Sequence, residues 1–387
     1  MTICPSEYCT GCFACINACK SGCISMVEDA FGEWHPHIDA THCVECGLCQ
    51  KACPNNRSPQ FAYPIKCLAA WNTDTADRAK SASGGIGKKI ADFTINAQDG
   101  IFVSTEYDTD FTPIQTFAAK GKDTSVYQGS KYIHSKVGDD TFDKIKHLLN
   151  EGKQVVYLST PCQVAGLLTY LGKDYSNLLT VDLMCHGVSP VRYFQEEFRR
   201  IKGAHRLQNV TDVRFRDNEG HNFRTTLWDK HQLLLNLSGR RDYYFAGFLF
   251  GVSLRENCYT CRYARPERVA DITLGDFIGL GNEKPFAHPT DNVSAVLINT
   301  PKGELFFSKL QQTYPTIQVE ERPYSERLSY PYSLRESTPR PRSRKLFRKL
   351  VARKGFSSAI RYVIGWRVLK SALWEYIRKL RQQYHIK

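Results

Sequence analysis

Features that define several common classes of protein are missing from this 387-residue sequence. No uncharged apolar run approaches the roughly 18 residues that would predict a membrane-spanning helix. The first residues show no basic segment followed by an apolar stretch, so a secretory signal is not expected. Neither the GxGxxG dinucleotide fingerprint nor the GxxxxGK(S/T) phosphate loop occurs. The sequence therefore predicts a cytoplasmic protein without a standard nucleotide-binding motif.

Negative charge is almost missing from the last 48 residues, which accounts for the net charge of +13. Residues 340–387 contain 15 Lys and Arg and a single acid, Glu375, for a local charge of +14. The other 339 residues hold 37 basic and 38 acidic side chains. Basicity is thus a property of the tail alone, and no nucleic-acid-binding module surrounds it. We expect no nucleic-acid partner.

Cysteine, by contrast, is abundant, with 15 in the chain. Two runs with the spacing CxxCxxCxxxC occur near the start. Their members are Cys9, Cys12, Cys15 and Cys19, followed by Cys43, Cys46, Cys49 and Cys53. This doubled run is typical of two-cluster bacterial ferredoxins. We therefore predict an α+β two-cluster 4Fe-4S ferredoxin domain over residues 1–57.

The fourth cysteine of each run ligates the other cluster in such ferredoxins, which predicts the two ligand sets. The first set is Cys9, Cys12, Cys15 and Cys53. The second set is Cys43, Cys46, Cys49 and Cys19. A pair of zinc sites is disfavoured, because zinc takes two CxxC pairs rather than this longer run. Cys23 is predicted to be a buried bystander or a substitute for Cys19, and Cys4 and Cys67 are predicted to be ordinary thiols.

Strand and helix patterns alternate in the body that follows. Residues 155–158 read as a buried strand, and a turn at Thr160-Pro161-Cys162 leads into an apolar helix that ends at Gly172. A second strand-like run ends at Cys185. Strand, helix and strand in this order predict a βαβ unit with two parallel strands. Both cysteines then lie at the carboxyl ends of their strands, on the edge where open α/β sheets place their sites.

A small-residue loop precedes another helix-like stretch, at Ser83, Gly84 and Gly85. Its free backbone N–H groups would suit a phosphate, and a simple helix cap is the alternative. Four more thiols remain unassigned, and they come from three segments. They are Cys162, Cys185, Cys258 and Cys261. They could hold a third 4Fe-4S cluster or a zinc ion, or be independent buried thiols.

Four motifs occur in order behind the ferredoxin segment: "GSKYIHSKVGD", "LSTPCQVAGL", "VDLMCHGVSP" and "CYTCRYARPERVADITLGDF". Over roughly residues 1–325 the sequence resembles the coenzyme F(420) hydrogenase/dehydrogenase beta-subunit family. The resemblance implies an α/β flavin-binding body, with the family's N-terminal part at residues 62–190 and its C-terminal part, which carries the CxxC, at residues 191–330. It also implies FAD beside the 4Fe-4S clusters, with the third cluster among them.

The resemblance further implies individual site residues. Contacts to the flavin are expected from Ser83, Gly84, Gly85, Lys131, Thr160, Pro161 and Gln163. Acid–base catalysis in the site is expected from His186 and Asp271, and a capping or fold-stabilising role is the alternative for each. No protein nucleophile is required, because a flavin supplies the hydride chemistry.

The function implied is an iron–sulfur flavoprotein oxidoreductase that passes electrons between its clusters and FAD to reduce or oxidise an organic substrate. An electron-donor protein such as a ferredoxin or flavodoxin is the expected partner. A role in surface polysaccharide biosynthesis is carried by the resemblance alone. The alternatives are a deazaflavin-coenzyme oxidoreductase subunit of a larger complex, and a non-enzymatic electron-transfer or scaffold protein. Flavin content separates the enzyme from the scaffold.

The C-terminal tail, residues 335–387, is predicted to be a basic amphipathic helix. Large apolar side chains recur at spacings of three and four. They are Trp366, Leu369, Leu373, Tyr376, Leu380 and Tyr384. Such a helix suits an anionic membrane surface, which would place the protein at the inner face of the membrane. The alternative is a helix docked on its own domain or on a partner.

Overall fold

The computed structural model describes residues 2–383, and the side chains of its last helix through Ile377. The strands are β1 Ile24–Glu28, β2 Trp34–Ile38, β3 Lys66–Asn72, β4 Ile101–Tyr107, β5 Pro113–Ala118, β6 Val155–Ser159, β7 Leu178–Leu183, β8 Asp212–Arg214, β9 Arg224–Asp229, β10 Gln232–Ser238, β11 Ile272–Asp276, β12 Ser294–Ile298 and β13 Ile317–Arg322. The helices are α1 Ala14–Asn17, α2 Leu48–Ala52, α3 Thr75–Arg78, α4 Ile86–Asp92, α5 Thr141–Asn150, α6 Pro161–Leu171, α7 Val191–His205, α8 Tyr243–Leu249, α9 Pro301–Thr313, α10 Tyr324–Leu328 and α11 Arg344–Gln383.

The N-terminal domain consists of two cysteine loops, the helices α1 and α2, and the hairpin β1–β2. It packs directly on the body through the indole of Trp34. The ring centroid of Trp34 lies 5.8 Å from that of Phe13 and 5.2 Å from that of His134 in the body. Gly11 is required at this junction, because a Cβ there would lie 2.7 Å from His134 Cε1.

The body is built on a mixed sheet with the strand order β13-β3-β12-β11-β7-β6-β4-β5. Its centre is parallel, since β4 pairs with β6, β6 with β7, and β7 with β11 in parallel register. The predicted βαβ unit is confirmed as β6–α6–β7, and Gly172 ends α6 with a φ of 69°. The sheet takes strands from residues 62–190 and from residues 191–330, so these two parts build one body.

Apolar side chains cover both faces of this sheet. On one face, α4 and α9 pack against the strands around Ile90, Phe306 and Val181. On the other, α5 and α6 pack around Phe142 and Val164 in a core that continues into the first cysteine loop. A second, antiparallel sheet, β10-β9-β8, is joined to α7, α8 and α11 through a separate aromatic core.

The C-terminal helix α11 is broken at Gly355, whose φ is 74° and ψ 174°. The carboxylate of Glu196 accepts the backbone N–H groups of Phe356 and Ser357 at 2.8 and 2.7 Å, and so caps the second segment. One face of that segment is buried on the body. Its members are Phe356, Ile360, Ile364 and Val368.

The opposite face of α11 is exposed. Its large side chains, with their exposed fractions, are Tyr362 at 75%, Trp366 at 78%, Leu369 at 62%, Leu373 at 58% and Tyr376 at 61%. The predicted apolar stripe therefore faces outward as far as the structure describes it, while the side chain of Leu380 and all of Tyr384 lie outside the described residues. No helix in the described part of the chain is long and apolar enough to span a bilayer.

Candidate iron–sulfur sites and cofactor cavity

The first predicted ligand set comes together around a small cavity in the N-terminal domain. Cys9, Cys12, Cys15 and Cys53 all line it and are buried. Cys4 also lines it, and the amide Nδ2 of Asn55 lies 3.8 Å from its sulfur. The assignment of Cys4 as an ordinary thiol stays a prediction.

The second set lies nearer the surface. Its members are Cys19, Cys43, Cys46 and Cys49, of which only Cys49 is buried and Cys46 is exposed. Burial, and then the charges of Cys19 and Cys46, raise the pKa of the Cys49 thiol. The sulfur of Cys23 lies 3.4 Å from that of Cys19 and also hydrogen-bonds with Cys43. The structure thus leaves both roles of Cys23 open, bystander and substitute ligand.

The third set is assembled by the sheet. Cys162 is the second residue of α6, shortly after β6, Cys185 follows β7, and Cys258 and Cys261 come from the segment before β11. Burial, with a smaller contribution from neighbouring thiols, raises the pKa of Cys162 to about 11 and that of Cys185 to about 12. The pKa of Cys258 is well above its usual value, because it is buried and then because Cys185, Cys261 and Cys162 surround it. The four predicted thiols therefore lie near enough to one another for their charges to interact.

The spacing of these sulfurs distinguishes a cluster from a single ion. Zinc bound to four thiolates at about 2.3 Å holds their sulfurs about 3.8 Å apart. Among the described residues, no three cysteine sulfurs lie within 4.8 Å of one another. The described sulfurs therefore do not form the tight group of a preformed four-thiolate zinc site.

The first and third sites are in direct contact through α6. A Cβ added to Gly166, one turn after Cys162, would lie 3.0 Å from both the Cβ and the Sγ of Cys12. Tyr263 is buried beside both sites, and the charges of Cys162 and Cys12 add to the effect of burial in raising its pKa. The order along the molecule is therefore the exposed second site, the first site and then the third.

A cavity of about 460 Å³ lies beyond the third site, at the carboxyl edge of the parallel strands. Pockets for organic cofactors typically measure about 300–1,000 Å³. Cys185 and His186 line this cavity, so the third site borders it directly. Four of the seven predicted flavin contacts also line it. They are Ser83, Gly85, Lys131 and Thr160.

Gly84, Pro161 and Gln163 are not among the lining residues, and their contact with a flavin stays a prediction. Gly84 packs on β3, where a Cβ would lie 2.3 Å from the carbonyl oxygen of Ala70. Gln163 is fully buried, and its Oε1 accepts the hydroxyl of Ser135 at 3.1 Å. Pro161 is the first residue of α6, where its fixed φ favours the helix start.

Among the charged side chains of the cavity wall, lysines and arginines outnumber the single carboxylate. Lys131 donates its ammonium to the carbonyl oxygens of Val126 and Gln128 at 3.1 and 3.2 Å, and burial lowers its pKa to about 8. Arg216 also lines the cavity and is paired with Asp276. Sequence reasoning missed both residues: Arg216 lies outside the four quoted motifs, and Asp276 lies within the last of them but was not singled out. Because strand β11 ends at Asp276 and pairs in parallel with β7, the position of that residue was in principle readable from the strand pattern.

The two predicted acid–base residues have different positions. His186 lines the cavity, its Nδ1 lies 3.3 Å from the hydroxyl of Thr338, and burial lowers its pKa. Asp271 precedes β11 and therefore lies at the amino edge of the sheet, away from the cavity. Its carboxylate accepts the N–H and hydroxyl of Thr180, both at 2.9 Å, and the hydroxyl of Thr300 at 2.7 Å. These contacts favour the fold-stabilising alternative for Asp271, which joins β11 to β7 and to the start of α9.

Comparison with known proteins gives two family matches. Residues 152–322 match the model for the C terminus of the coenzyme F420 hydrogenase/dehydrogenase beta subunit, and residues 8–56 match the 4Fe-4S dicluster domain. No curated protein matched the sequence. The chain is similar, at 18% identity and a TM-score of 0.45, to a chain of the xenon-derivatised F420-reducing NiFe hydrogenase complex from Methanosarcina barkeri. That similarity covers 78% of this chain and 92% of the other.

Both matched ranges agree with the motifs that carried the resemblance, which is confirmed. The eight N-terminal cysteines fall within a domain that binds 4Fe-4S clusters. The large mixed sheet forms an α/β body behind it. The chain therefore carries a 4Fe-4S dicluster domain at residues 8–56 and, at residues 152–322, the C-terminal domain of the coenzyme F420 hydrogenase/dehydrogenase beta-subunit family, which are the domains of an iron–sulfur oxidoreductase.

Proposed function

We propose that this protein is a flavin-dependent electron-transfer enzyme in which three 4Fe-4S clusters connect a surface donor site to FAD in the cavity. The observation that carries the proposal is the double position of Cys185, which belongs to the third thiol set and also lines the cavity. When bound, FAD would supply the exchange between single electrons and a hydride.

The residues of the cavity fit a phosphate-bearing cofactor. The hydroxyl of Ser83 is buried without a hydrogen-bond partner, and Ser83 lines the cavity. Lys131 and Arg216 add positive charge to the same wall. An unpartnered buried hydroxyl costs free energy unless a ligand satisfies it. Ser83, Gly85, Lys131 and Thr160 would therefore hold the cofactor, and the thiols of the third set would hold a cluster beside it.

His186 would hold a proton at the cavity. Its ring packs edge-on against Phe248 with centroids 5.3 Å apart, and Thr338 fixes its orientation by donating its hydroxyl to the His186 carbonyl at 2.6 Å. Burial lowers its pKa, so the neutral imidazole predominates at neutral pH and can accept a proton. Of the two predicted acid–base residues, His186 is the one that lines the cavity.

A second candidate function is favoured by the family description, which names coenzyme F420. In this alternative the protein is a deazaflavin-coenzyme oxidoreductase subunit of a larger complex, and the cavity takes that coenzyme near the third site. The family match supports this alternative better than a free-standing FAD enzyme. The same positive wall would suit either anionic cofactor.

Electrons would enter or leave at the second site, where a donor such as a ferredoxin or flavodoxin would dock. Cys46 is exposed there, and its neighbours Val44 and Leu48 are 72% and 40% exposed. Exposed apolar side chains around an accessible cluster suit a small, transient electron-transfer interface. The chain would thus present its donor surface on the face away from the cavity.

The outward face of α11 would place the protein on an anionic membrane surface. Aromatic and leucine side chains line that face, and the tail around it carries a charge of +14. Apolar burial in the headgroup region and attraction to anionic lipids would act together. This position would agree with a role in surface polysaccharide biosynthesis on lipid-linked intermediates, a role that rests on the resemblance alone.

Cosedimentation with vesicles tests the membrane position. The wild-type chain should bind vesicles that contain anionic lipid and not neutral ones, with binding reduced by salt. Trp366→Ser with Leu369→Ser should abolish binding, whereas Leu305→Ser should not, because Leu305 is 59% exposed but lies on α9. Equal binding to neutral vesicles, or none to anionic ones, would contradict the proposal.

Flavin content tests the enzyme proposal. Anaerobically purified protein should release about one FAD per chain. Lys131→Gln should lower that content, whereas the exposed Lys122→Gln, whose partner is Glu106, should not. Protein without FAD that instead binds and reduces coenzyme F420 would support the deazaflavin alternative. If the protein binds neither cofactor, the result would support the non-enzymatic alternative, in which the body only docks partners.

A further inference from the structure

Four of the largest fully buried side chains are arginines: Arg255, Arg268, Arg327 and Arg344. A buried guanidinium is costly unless a negative charge and good hydrogen bonds offset its lost hydration. Arg268 has such a partner, since its Nη2 lies 3.0 Å from Asp182 Oδ2. Arg344 lies 3.5 and 3.6 Å from the carboxylates of Glu33 and Glu256.

Arg255 has no carboxylate partner among the described residues but lies beside the first cluster site. Its Nη2 donates to the carbonyl oxygens of Cys9 and Trp34, both at 3.2 Å, so backbone acceptors offset part of its lost hydration. Arg255 therefore holds the first cysteine loop and β2 against the body.

Arg327 is the other buried arginine without a carboxylate partner in the described part of the chain. It is 2% exposed and lines the large cavity. Its Nε donates to the carbonyl oxygen of Asp276 at 3.0 Å, while its Nη1 is buried and has no hydrogen-bond partner. The Asp276 carboxylate is already paired with Arg216. Within the described residues, no acid lies within ion-pair distance of the Arg327 guanidinium.

We propose that Arg327 binds the anionic group of a ligand in the cavity, either a phosphate or a carboxylate. A guanidinium offers several N–H donors in a planar fork that matches both groups. Tyr330, Ser333 and Phe223 line the same cavity and would enclose the ligand. Arg327 lies outside residues 152–322, so the matched family domain does not assign it.

The anion has two sources, and this part of the inference rests on the proposed function. It is either a phosphate of the cofactor or an acidic group of the organic substrate. Arg327→Gln removes the charge, and Arg327→Lys keeps the charge but loses the planar fork. Arg335→Gln is the matched control, because Arg335 is exposed and eight residues further along the chain.

The test measures flavin content and the affinity for inorganic phosphate, by calorimetry, on the full-length protein purified anaerobically. Flavin lost in Arg327→Gln and retained in Arg335→Gln would support the inference and identify the cofactor as the source. Flavin retained with phosphate affinity lowered about tenfold or more would support it and identify the substrate. Arg327→Lys should lie between wild type and Arg327→Gln, and it remains informative if Arg327→Gln does not fold.

Unchanged flavin content together with unchanged phosphate affinity in both Arg327 variants would overturn the inference. Its failure is distinguishable from failure of the proposed function. If the wild-type protein carries no flavin, the phosphate measurement still applies, and a loss of phosphate affinity in Arg327→Gln would support an anion site in a cavity with another occupant.

Discussion

The N-terminal and body cysteine groups differ in how far apart their ligands lie in the sequence. The eight ferredoxin ligands fall between residues 9 and 53, in two local loops. The four body thiols span residues 162–261 and meet only because β6 and β7 are parallel neighbours and β11 pairs with β7. The first group depends on local spacing, whereas the second depends on the correct assembly of the sheet.

This difference predicts different sensitivities. The N-terminal group should tolerate changes in the body that leave its own loops intact. The body group should be lost when the strands or the loop before β11 shift. The contact between Gly166 and Cys12 connects the two groups, so it can be disturbed without removing any ligand.

The largest effect on the body group is expected from Arg268→Met. The guanidinium donates to Asp182 and to the carbonyl oxygens of Tyr263 and Leu183, at 3.0, 3.0 and 3.3 Å, and so joins the segments that carry Cys261 and Cys185. Its removal leaves the Asp182 carboxylate buried and unpaired, at a cost of about 3–5 kcal/mol. Thermal unfolding and iron analysis should show lower stability and the loss of about four irons per chain.

Arg265→Met is the control for that change. Arg265 comes from the same segment, but its ion pair with Glu267 is at the surface, with side chains 43% and 30% exposed. A loss of about 0–1 kcal/mol is expected. Equal iron content in the Arg268 and Arg265 variants would contradict the dependence of the body group on sheet assembly.

A smaller effect is expected from Arg255→Met, which acts on the junction between the groups. The change leaves the carbonyl oxygens of Cys9 and Trp34 without this donor. A buried group left unsatisfied lowers the free energy of unfolding by about 1–3 kcal/mol. Iron content should be retained, while amide hydrogen exchange in residues 9–15 and 34–38 should speed up. Unchanged exchange would show that the N-terminal domain docks through other contacts.

Gly166→Ala should have a still smaller effect, confined to the contact with Cys12. Compared with Gly203→Ala on α7, where a Cβ would meet nothing within 4 Å, it should be less stable by about 1–3 kcal/mol. The comparison cancels the gain in helix propensity that both substitutions share. Thermal unfolding of the pair is the measurement, and equal midpoints would mean that the first loop moves away at no cost.

The smallest effect is the pH dependence of flavin affinity, which we attribute to Lys131 in the cavity wall. Burial lowers the pKa of Lys131 to about 8, so its charge is lost as pH rises through that value. Flavin affinity should therefore fall above about pH 8, and this fall should be absent in Lys131→Gln. Folding stability should change in the opposite direction, rising from pH 8 toward the unfolded value of about 10.4, because the unfolded chain then binds more protons. Flavin fluorescence and denaturant titration at several pH values would measure both.

Much of this architecture is predictable from the sequence where the signal is local. The ferredoxin runs, the β6–α6–β7 unit and the end of α6 at Gly172 follow from spacing and periodicity. The third thiol set follows from the same unit, because it places Cys162 and Cys185 at one edge. The exposed stripe on α11 follows from spacings of three and four residues.

The other site residues could not be placed from the sequence, because their positions depend on which end or face of a strand or helix they occupy. Asp271 precedes its strand, so it lies at the amino edge, although its sequence position beside a cysteine loop favoured the site. Gly84 and Gln163 point into packed interiors beside residues that line the cavity. Arg327 has no motif and becomes conspicuous only when its described neighbours offer no carboxylate to offset its charge.

The most direct test of the central claim is the iron and sulfide content of three anaerobically purified proteins: wild type, Cys162→Ser and Cys67→Ser. Cys67 is a buried thiol of β3 outside all three sets, so its substitution controls for the loss of a buried sulfur. We predict about twelve irons per chain in the wild type and in Cys67→Ser, and about eight in Cys162→Ser. About eight irons in all three proteins would contradict a third cluster and with it the connection from the donor surface to the cavity.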